Sequence, residues 1–243
     1  NDPAGQLNVD GYANYGLTAS FIMLAAIVVS SLGTAKHIPS FAPPPPKRPF
    51  VFAESSREIW ASLINKPFLL LAAGTFFAYS AGGIVGATLT YFRIYLWELS
   101  GDQISGLMIG YFAALVTALF FAPWLGKKVG KKRAAIMLSI ATILFSPIMY
   151  FSRVLGIAPE NGSQLLYILL FAFGYINTTL AVSAGTMGSS MFADVVEYAA
   201  VKTGRDSAGL IFSANAFLLK AMSGIGVFGA GLILAFVGFP EGA

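Results

Sequence analysis

The stretch LMIGYFAALVTALFFAPWL, residues 107–125, contains no charged residue. At about 1.5 Å per residue it forms a helix of about 28 Å, close to the ~30 Å hydrocarbon core of a bilayer. The segment that follows, GKKVGKKR at 126–133, carries five positive charges. An uncharged run of this length beside a basic segment is typical of a helix that crosses a membrane and ends at its surface.

Five further runs have the same apolar character, at residues 16–33, 68–92, 134–152, 164–188 and 208–238. The chain has 243 residues, of which 56% are hydrophobic and only 11% charged, whereas about a quarter of the residues in soluble domains are charged. The apolar runs are continuous and do not alternate at period two, which excludes a β-barrel. The sequence therefore predicts an all-α polytopic membrane protein with about six transmembrane helices.

The basic residues set the orientation of these helices. Of the fifteen Lys and Arg residues, twelve fall in alternate connections, at 34–66, 126–133 and 189–207. Only Arg93 and Arg153 fall on the opposite side. By the positive-inside rule the three basic connections are cytoplasmic, and the chain is a multi-pass protein of the plasma (inner) membrane. A nucleic-acid partner is not needed to explain the net charge of +4.

The longest connection, 34–66, contains the run APPPPKRP at 42–49. Consecutive prolines favour a stiff polyproline II spacer. Ser55 and Glu58 form a capping-box pattern before apolar residues at helical spacing, which predicts a short amphipathic helix at the membrane surface.

Glycine pairs at four-residue spacing, Gly82/Gly86 and Gly106/Gly110, predict close helix contacts. Pro123 and Pro147 lie inside predicted spans and predict kinks.

Catalytic and cofactor motifs are not supported. GIGVFG at 224–229 matches the dinucleotide-binding glycine pattern, but that pattern requires a preceding strand, and here it lies in a membrane span. The chain has no cysteine and one histidine, and no nucleophile–base pair or metal-ligand cluster is visible. We therefore expect no enzyme activity and no cofactor or metal.

Lys220 is a single charge within SANAFLLKAMSGIG, residues 213–226. It lies deep in the last predicted span, where a cation costs about 3 kcal/mol on insertion scales. Ser213 is seven residues earlier and shares its helix face. We expect this face to line a protein interior or aqueous cavity, and no acidic residue of the chain lies at a matching depth in another span.

The segment 191–209, MFADVVEYAAVKTGRDSAG, is rich in both charges. Asp194 and Glu197 are three residues apart, as are Lys202 and Arg205, so each pair shares a face if the segment is helical. An ordinary solvated loop, whose ion pairs are worth about 0–1 kcal/mol, explains the same residues equally well.

ADVVEY at 193–198, KTGR at 202–205 and a lysine 26 residues after Asp194 together resemble the glycoside–pentoside–hexuronide:cation symporters. These are the melibiose-carrier-like branch of the major facilitator superfamily. NKPF at 65–68, YFRIYLW at 91–97 and GKKVGKKR at 126–133 agree with this resemblance, which covers essentially the whole chain.

The resemblance implies a twelve-helix fold of which these helices are the sixth to the eleventh. Residues 1–33 would be an outer tail and the last helix of the N-terminal bundle. Residues 34–66 would be the central linker, and 67–243 a C-terminal bundle without its last helix. The rest of the N-terminal bundle would then be a partner outside this chain.

The resemblance also implies roles for individual residues. Lys220, with Ser213 and Asn177, would line a cavity for the solute and the coupling cation. Asp194, Glu197, Lys202 and Arg205 would form a charge cluster at the cytoplasmic gate. The implied activity is cation-coupled symport, with Na⁺ or H⁺, of a sugar or related small polar solute by alternating access. The ion itself would be held mostly by the N-terminal bundle.

Two alternatives remain open at this stage. A carrier of the same superfamily can take a lipid or another amphiphile, or act as an uncoupled facilitator. The polar residues of span 164–188, which are Asn177, Thr178, Thr179 and Ser183, favour a small polar solute. A self-contained six-helix channel or scaffold is the other alternative.

Overall fold

The computed structural model of the chain describes residues 11–40, 66–203 and 208–239, without the side chains of Lys202 and Thr203. The chain divides into two compact units, Asn1–Val51 and Phe52–Ala243. The predicted proline-rich spacer and amphipathic helix, as well as Arg205, lie outside the described residues.

The first unit contains helix α1, Gly11–Ala35, followed by a short 3₁₀ turn, Ile38–Ser40. None of the residues of α1 is buried, although the helix is strongly apolar. With 25 residues, α1 is long enough to cross a bilayer. The first predicted span is therefore confirmed as a helix, which begins five residues earlier than expected.

The described ranges of the second unit contain six helices and no strand. In chain order they are α2 Lys66–Tyr91, which continues through a π turn at Phe92–Leu96; α3 Gly101–Val129; α4 Lys131–Phe145; α5 Ile148–Val154; α6 Gln164–Thr203; and α7 Ala208–Phe236.

Local sequence signals explain where several of these helices begin and end. Pro67 lies in the first turn of α2, where its missing N–H has no helical partner to lose. Ser100 caps α3 in a reciprocal capping box with Gln103. Gly130, at φ +86°, makes the sharp turn between α3 and α4. Pro147 separates α4 from α5 within a single span, whereas α3 continues through Pro123.

Helix α6 differs most from the prediction. It has 40 residues, about 60 Å at 1.5 Å per residue, and so extends well beyond a ~30 Å hydrocarbon core. The predicted loop 189–207 is therefore helical as far as Thr203. Residues 191–203 contain neither glycine nor proline, the two residues with the lowest helix propensity.

Helices α2 and α7 pack against each other, while α6 packs against α3 and α4. Small residues make the α3 contact close, because Ala114, Ala118 and Ala122 repeat every four residues and are fully buried or nearly so. Phe68, Phe192 and Ile211 form one buried cluster that joins α2, α6 and α7. The helix ends around this cluster, with Lys66 and Lys131, are called the basic end. The opposite end, with Tyr91, Tyr95, Trp97 and Tyr150, is called the aromatic end.

Large apolar side chains cover the outside of the helices. Examples on three helices are Phe77, Phe120 and Phe228, each about 70% exposed. In the described ranges, six helical segments are long and apolar enough to cross a membrane: α1, α2 with its π turn, α3, α4 with α5, α6 and α7. The observed architecture is the predicted all-α polytopic fold.

Candidate functional site

Lys220 lies two residues from the middle of α7, which is about 3 Å along the helix axis. Its side chain is exposed, and no described residue forms an ion pair or hydrogen bond with it. Ser213 is also exposed on the same helix face, where its hydroxyl donates to the Leu210 carbonyl of its own helix. The polar face predicted from the spacing therefore lies on an uncovered side of α7.

Asn177 lies in α6 and is half-buried. Its side-chain carbonyl oxygen Oδ1 is buried and has no hydrogen-bond partner within the described ranges. No hydrogen bond joins Asn177 to Ser213 or Lys220 there, so the structure does not bring the three predicted site residues into one contact network.

Three further polar atoms share this condition: Ser80 Oγ, Ser183 Oγ and Asn215 Oδ1 are buried without a hydrogen-bond partner among the described residues. Burying such an atom unpaired costs about 1–3 kcal/mol. Asn215 was missed at the sequence level, although an amide five residues before the intramembrane lysine was a visible signal. Ser80 was missed because serine is common in spans and gives no signal by itself.

Two of the predicted gate residues, Asp194 and Glu197, lie at the basic end. Asp194 accepts a hydrogen bond from Lys131 Nζ at 2.6 Å, with both side chains about half exposed. Glu197, one turn further along α6, is exposed. The side chain of Lys202 and the whole of Arg205 lie outside the described residues, so their part in the cluster stays a prediction. The sequence gives no signal that Lys131 pairs with Asp194, because the contact depends on how α4 packs against α6.

At the aromatic end Arg93 is buried, with 6% of its surface exposed, whereas the sequence placed it in an outer loop. Its guanidinium donates to the Tyr111 hydroxyl at 2.8 Å and lies over the same ring. The π turn at Phe92–Leu96 places Arg93 between α2 and α3. No carboxylate in the described part of the chain pairs with it.

A second arginine fastens the connection before α6. Arg153 donates to the Pro159 carbonyl at 3.1 Å and to Asn161 Oδ1, and its guanidinium lies over the buried Trp97 ring. Asn161 Nδ2 in turn donates to the Leu96 carbonyl at 3.3 Å. These contacts tie the ends of α2 and α5 to the following connection.

A sequence model of the family described as MFS/sugar transport protein matches residues 2–243. The chain belongs to this major facilitator family. The resemblance to its melibiose-carrier-like branch is thereby confirmed. Neither curated proteins nor solved structures give a match.

Membership in this sugar-transport family identifies a multi-pass membrane protein that moves a small-molecule solute. Its site is therefore to be understood as a path for solute rather than as a reaction centre. Within the described ranges no three His, Asp or Glu side chains are grouped so as to hold a metal ion.

Proposed function

We propose that this member of the MFS/sugar transport family is a cation-coupled symporter. It moves a sugar or related small polar solute together with Na⁺ or H⁺ across the plasma (inner) membrane. Transport proceeds by alternating access, in which helical bundles rock around a site near the bilayer midplane.

The observation that carries this proposal is the position of Lys220. A cation near mid-membrane without a counter-charge is strongly disfavoured, yet Lys220 lies on an uncovered face of α7 with no described acidic residue at its depth. The described acids lie away from mid-span: Glu98, Asp102 and Glu160 towards the aromatic end, Asp194 and Glu197 towards the basic end. The counter-charge is therefore supplied from outside the described spans, by acidic groups that also bind the coupling cation.

The unpaired amide oxygens support a polar cargo. Asn177 Oδ1 and Asn215 Oδ1 are buried acceptors without partners among the described residues. A solute or a neighbouring helix that carries hydroxyl groups satisfies such acceptors, whereas a lipid chain does not. Sugar or a similar polyhydroxyl solute is the cargo that these groups favour.

The basic end supplies the inner gate. The positive-inside rule places this end in the cytoplasm. There Lys131 and Asp194 link the start of α4 to the extension of α6, and Glu197, Lys202 and Arg205 add charges close by in the sequence. Ion pairs of this kind are weak enough to open and close during a transport cycle.

The test is uptake of labelled sugars into cells that express the complete transporter, with and without a Na⁺ or H⁺ gradient. We expect Lys220→Ala to abolish gradient-driven uptake. Leu232→Ala is the matched control, because Leu232 is an exposed apolar residue of the same helix and its truncation leaves the polar face intact. Gradient-driven uptake that is unchanged in Lys220→Ala removes Lys220 from coupling. Uptake of lysolipid in place of any sugar identifies the alternative cargo.

A further inference from the structure

Helices α2 and α7 cross at a pair of matching tetrads, SAGG at 80–83 and SGIG at 223–226. The contact is reciprocal. The Ser223 carbonyl oxygen lies against Gly83, and the Ser80 carbonyl oxygen lies against Gly226. We call this contact the Ser–Gly crossing. Close approach of two backbones through small residues is the usual way in which membrane helices associate tightly.

The crossing has no room for a side chain. A Cβ atom on Gly83 would overlap the Ser223 carbonyl oxygen and lie 3.0 Å from Gly226 Cα. A Cβ atom on Gly226 would overlap the Ser80 carbonyl oxygen and lie 2.9 Å from Gly83 Cα. The obstructing atoms belong to the backbone, so an alanine at either position forces the helices apart rather than displacing a flexible side chain.

The neighbouring glycines do not share this contact. The predicted close pair Gly82/Gly86 faces open space, because a Cβ atom on either residue meets nothing within 4 Å. The same is true of Gly231, one turn and a half beyond Gly226 on α7. The chain therefore provides a matched control glycine on each of the two helices.

The crossing also fixes the register of the two helices, which run parallel. Gly83 and Gly226 are 143 residues apart, and Phe68 and Ile211, which share one buried cluster near the basic end, have the same separation. At the aromatic end, the Phe239 ring packs edge-on against the Tyr91 ring, with their centroids 5.3 Å apart. A slide of α7 along α2 breaks contacts at all three levels.

Lys220 precedes Gly226 by six residues. At 100° per residue, the two positions are separated by about 240° around the helix axis. The Ser–Gly crossing therefore turns Lys220 away from the face that contacts α2, and the side chain is exposed. A rotation of α7 by one residue would move Lys220 by about 100° round the helix axis.

We infer that Gly83 and Gly226 are positioning residues for Lys220, because their close contact fixes the rotation of α7 about its axis. This inference rests on the proposed role of Lys220 in transport.

The first test measures the position of residue 220 without requiring transport. Lys220→Cys is introduced into the complete transporter freed of other cysteines, of which these 243 residues contain none. We expect the labelling rate with a membrane-impermeant thiol reagent to change severalfold when Gly83→Ala or Gly226→Ala is added. It should stay unchanged with Gly82→Ala or Gly231→Ala. An unchanged rate in all four variants, at normal membrane levels, overturns the positioning role.

The second test does not depend on tolerance of alanine at the crossing. A Cβ atom on Gly229 lies 3.9 Å from Ile84 Cγ1 and Cδ1, so a disulfide between Ile84→Cys and Gly229→Cys needs only a small adjustment. We expect this pair to cross-link on oxidation in the membrane, whereas Ile84→Cys with Gly231→Cys should not, because a Cβ atom on Gly231 meets nothing within 4 Å. Failure of the Ile84–Gly229 pair to cross-link overturns the crossing geometry on which the positioning role depends. If Lys220→Ala retains full gradient-driven uptake, the proposed function fails, while the labelling result still decides the geometry of the crossing.

Discussion

Lys131 Nζ and Asp194 Oδ1 lie 2.6 Å apart, although the two residues are 63 positions apart in the sequence. The pair joins the first residue of α4 to the part of α6 that lies at the basic end, beside the buried Phe192 and Val195. Both side chains are about half exposed, so water screens the pair strongly and its net contribution to stability is about 0–1 kcal/mol. The free energy of such a pair contributes little to folding. It is nevertheless large enough to shift the balance between two conformations that differ by a small free energy.

We expect Asp194→Asn to lower the free energy of unfolding by less than about 1 kcal/mol while clearly changing the rate of uptake. The reason is that a gate contact made in only one conformation shifts the ratio of conformations by up to about fivefold when it is lost. Thermal unfolding in detergent and initial uptake rates measure the two effects separately.

The control is Lys128→Ala, which removes a single charge, of opposite sign, three residues before Lys131 but leaves the pair intact. The side chain of Lys128 lies over the Trp124 ring at 5.3 Å. An uptake rate in Asp194→Asn that matches the rate in Lys128→Ala would show that the pair has no role in gating. Exchange of the two charges, as Lys131→Asp with Asp194→Lys, should restore most of the rate.

The hydrogen bond from Arg93 to the Tyr111 hydroxyl gives a stability prediction. Arg93 is buried, and the Tyr111 oxygen is its one hydrogen-bonded side-chain partner in the described ranges. We expect Tyr111→Phe to lower the free energy of unfolding by about 1–3 kcal/mol, because a buried charged donor loses its acceptor. Tyr79→Phe is the control, since Tyr79 is an exposed residue of α2. Equal melting temperatures of the two variants would contradict the importance of this bond.

Ser183 and Thr179 form a matched pair within α6. Both side chains are buried, but Ser183 Oγ has no partner among the described residues, whereas Thr179 Oγ1 donates to the Tyr175 carbonyl at 2.8 Å. We expect Ser183→Ala to leave stability unchanged or raise it by about 1 kcal/mol, because it removes an unpaired buried hydroxyl. Thr179→Val should lower stability by about 1 kcal/mol. A loss of stability in Ser183→Ala as large as that in Thr179→Val would show that Ser183 has a partner in the complete transporter.

The number and position of the spans could be predicted because mean hydropathy over about 20 residues reports directly on the fit to a bilayer. Lys220 could be singled out for a related reason, since one charge in such a run is costly wherever the helix lies. Both inferences need only local sequence and the properties of the membrane.

Contacts between helices could not be predicted in the same way. The sequence reads Gly82-Gly83, and which of the two faces α7 depends on the rotation of α2, which changes by 100° per residue. Arg93 was counted as a surface charge, because the π turn and the Tyr111 hydroxyl that allow its burial appear only when α2 and α3 are packed together. The Lys131–Asp194 pair could not be predicted without knowing that α6 continues as a helix beyond residue 188.

Asn161 gives a prediction for the connection before α6. The sequence Asn161-Gly162-Ser163 has the form of a glycosylation acceptor, but the Asn161 amide nitrogen donates to the Leu96 carbonyl, and its oxygen accepts from Arg153. We expect Asn161→Ala to lower the free energy of unfolding by about 1–3 kcal/mol, since the Arg153 guanidinium and the Leu96 carbonyl both lose a partner. Thermal unfolding of Asn161→Ala measures this loss, with Glu160→Ala, a change at a neighbouring exposed side chain, as the control.

The hydrogen bonds of the Asn161 amide also predict that this residue carries no glycan after expression in a glycosylating host. A mass increase at Asn161 would show that the connection opens in the membrane.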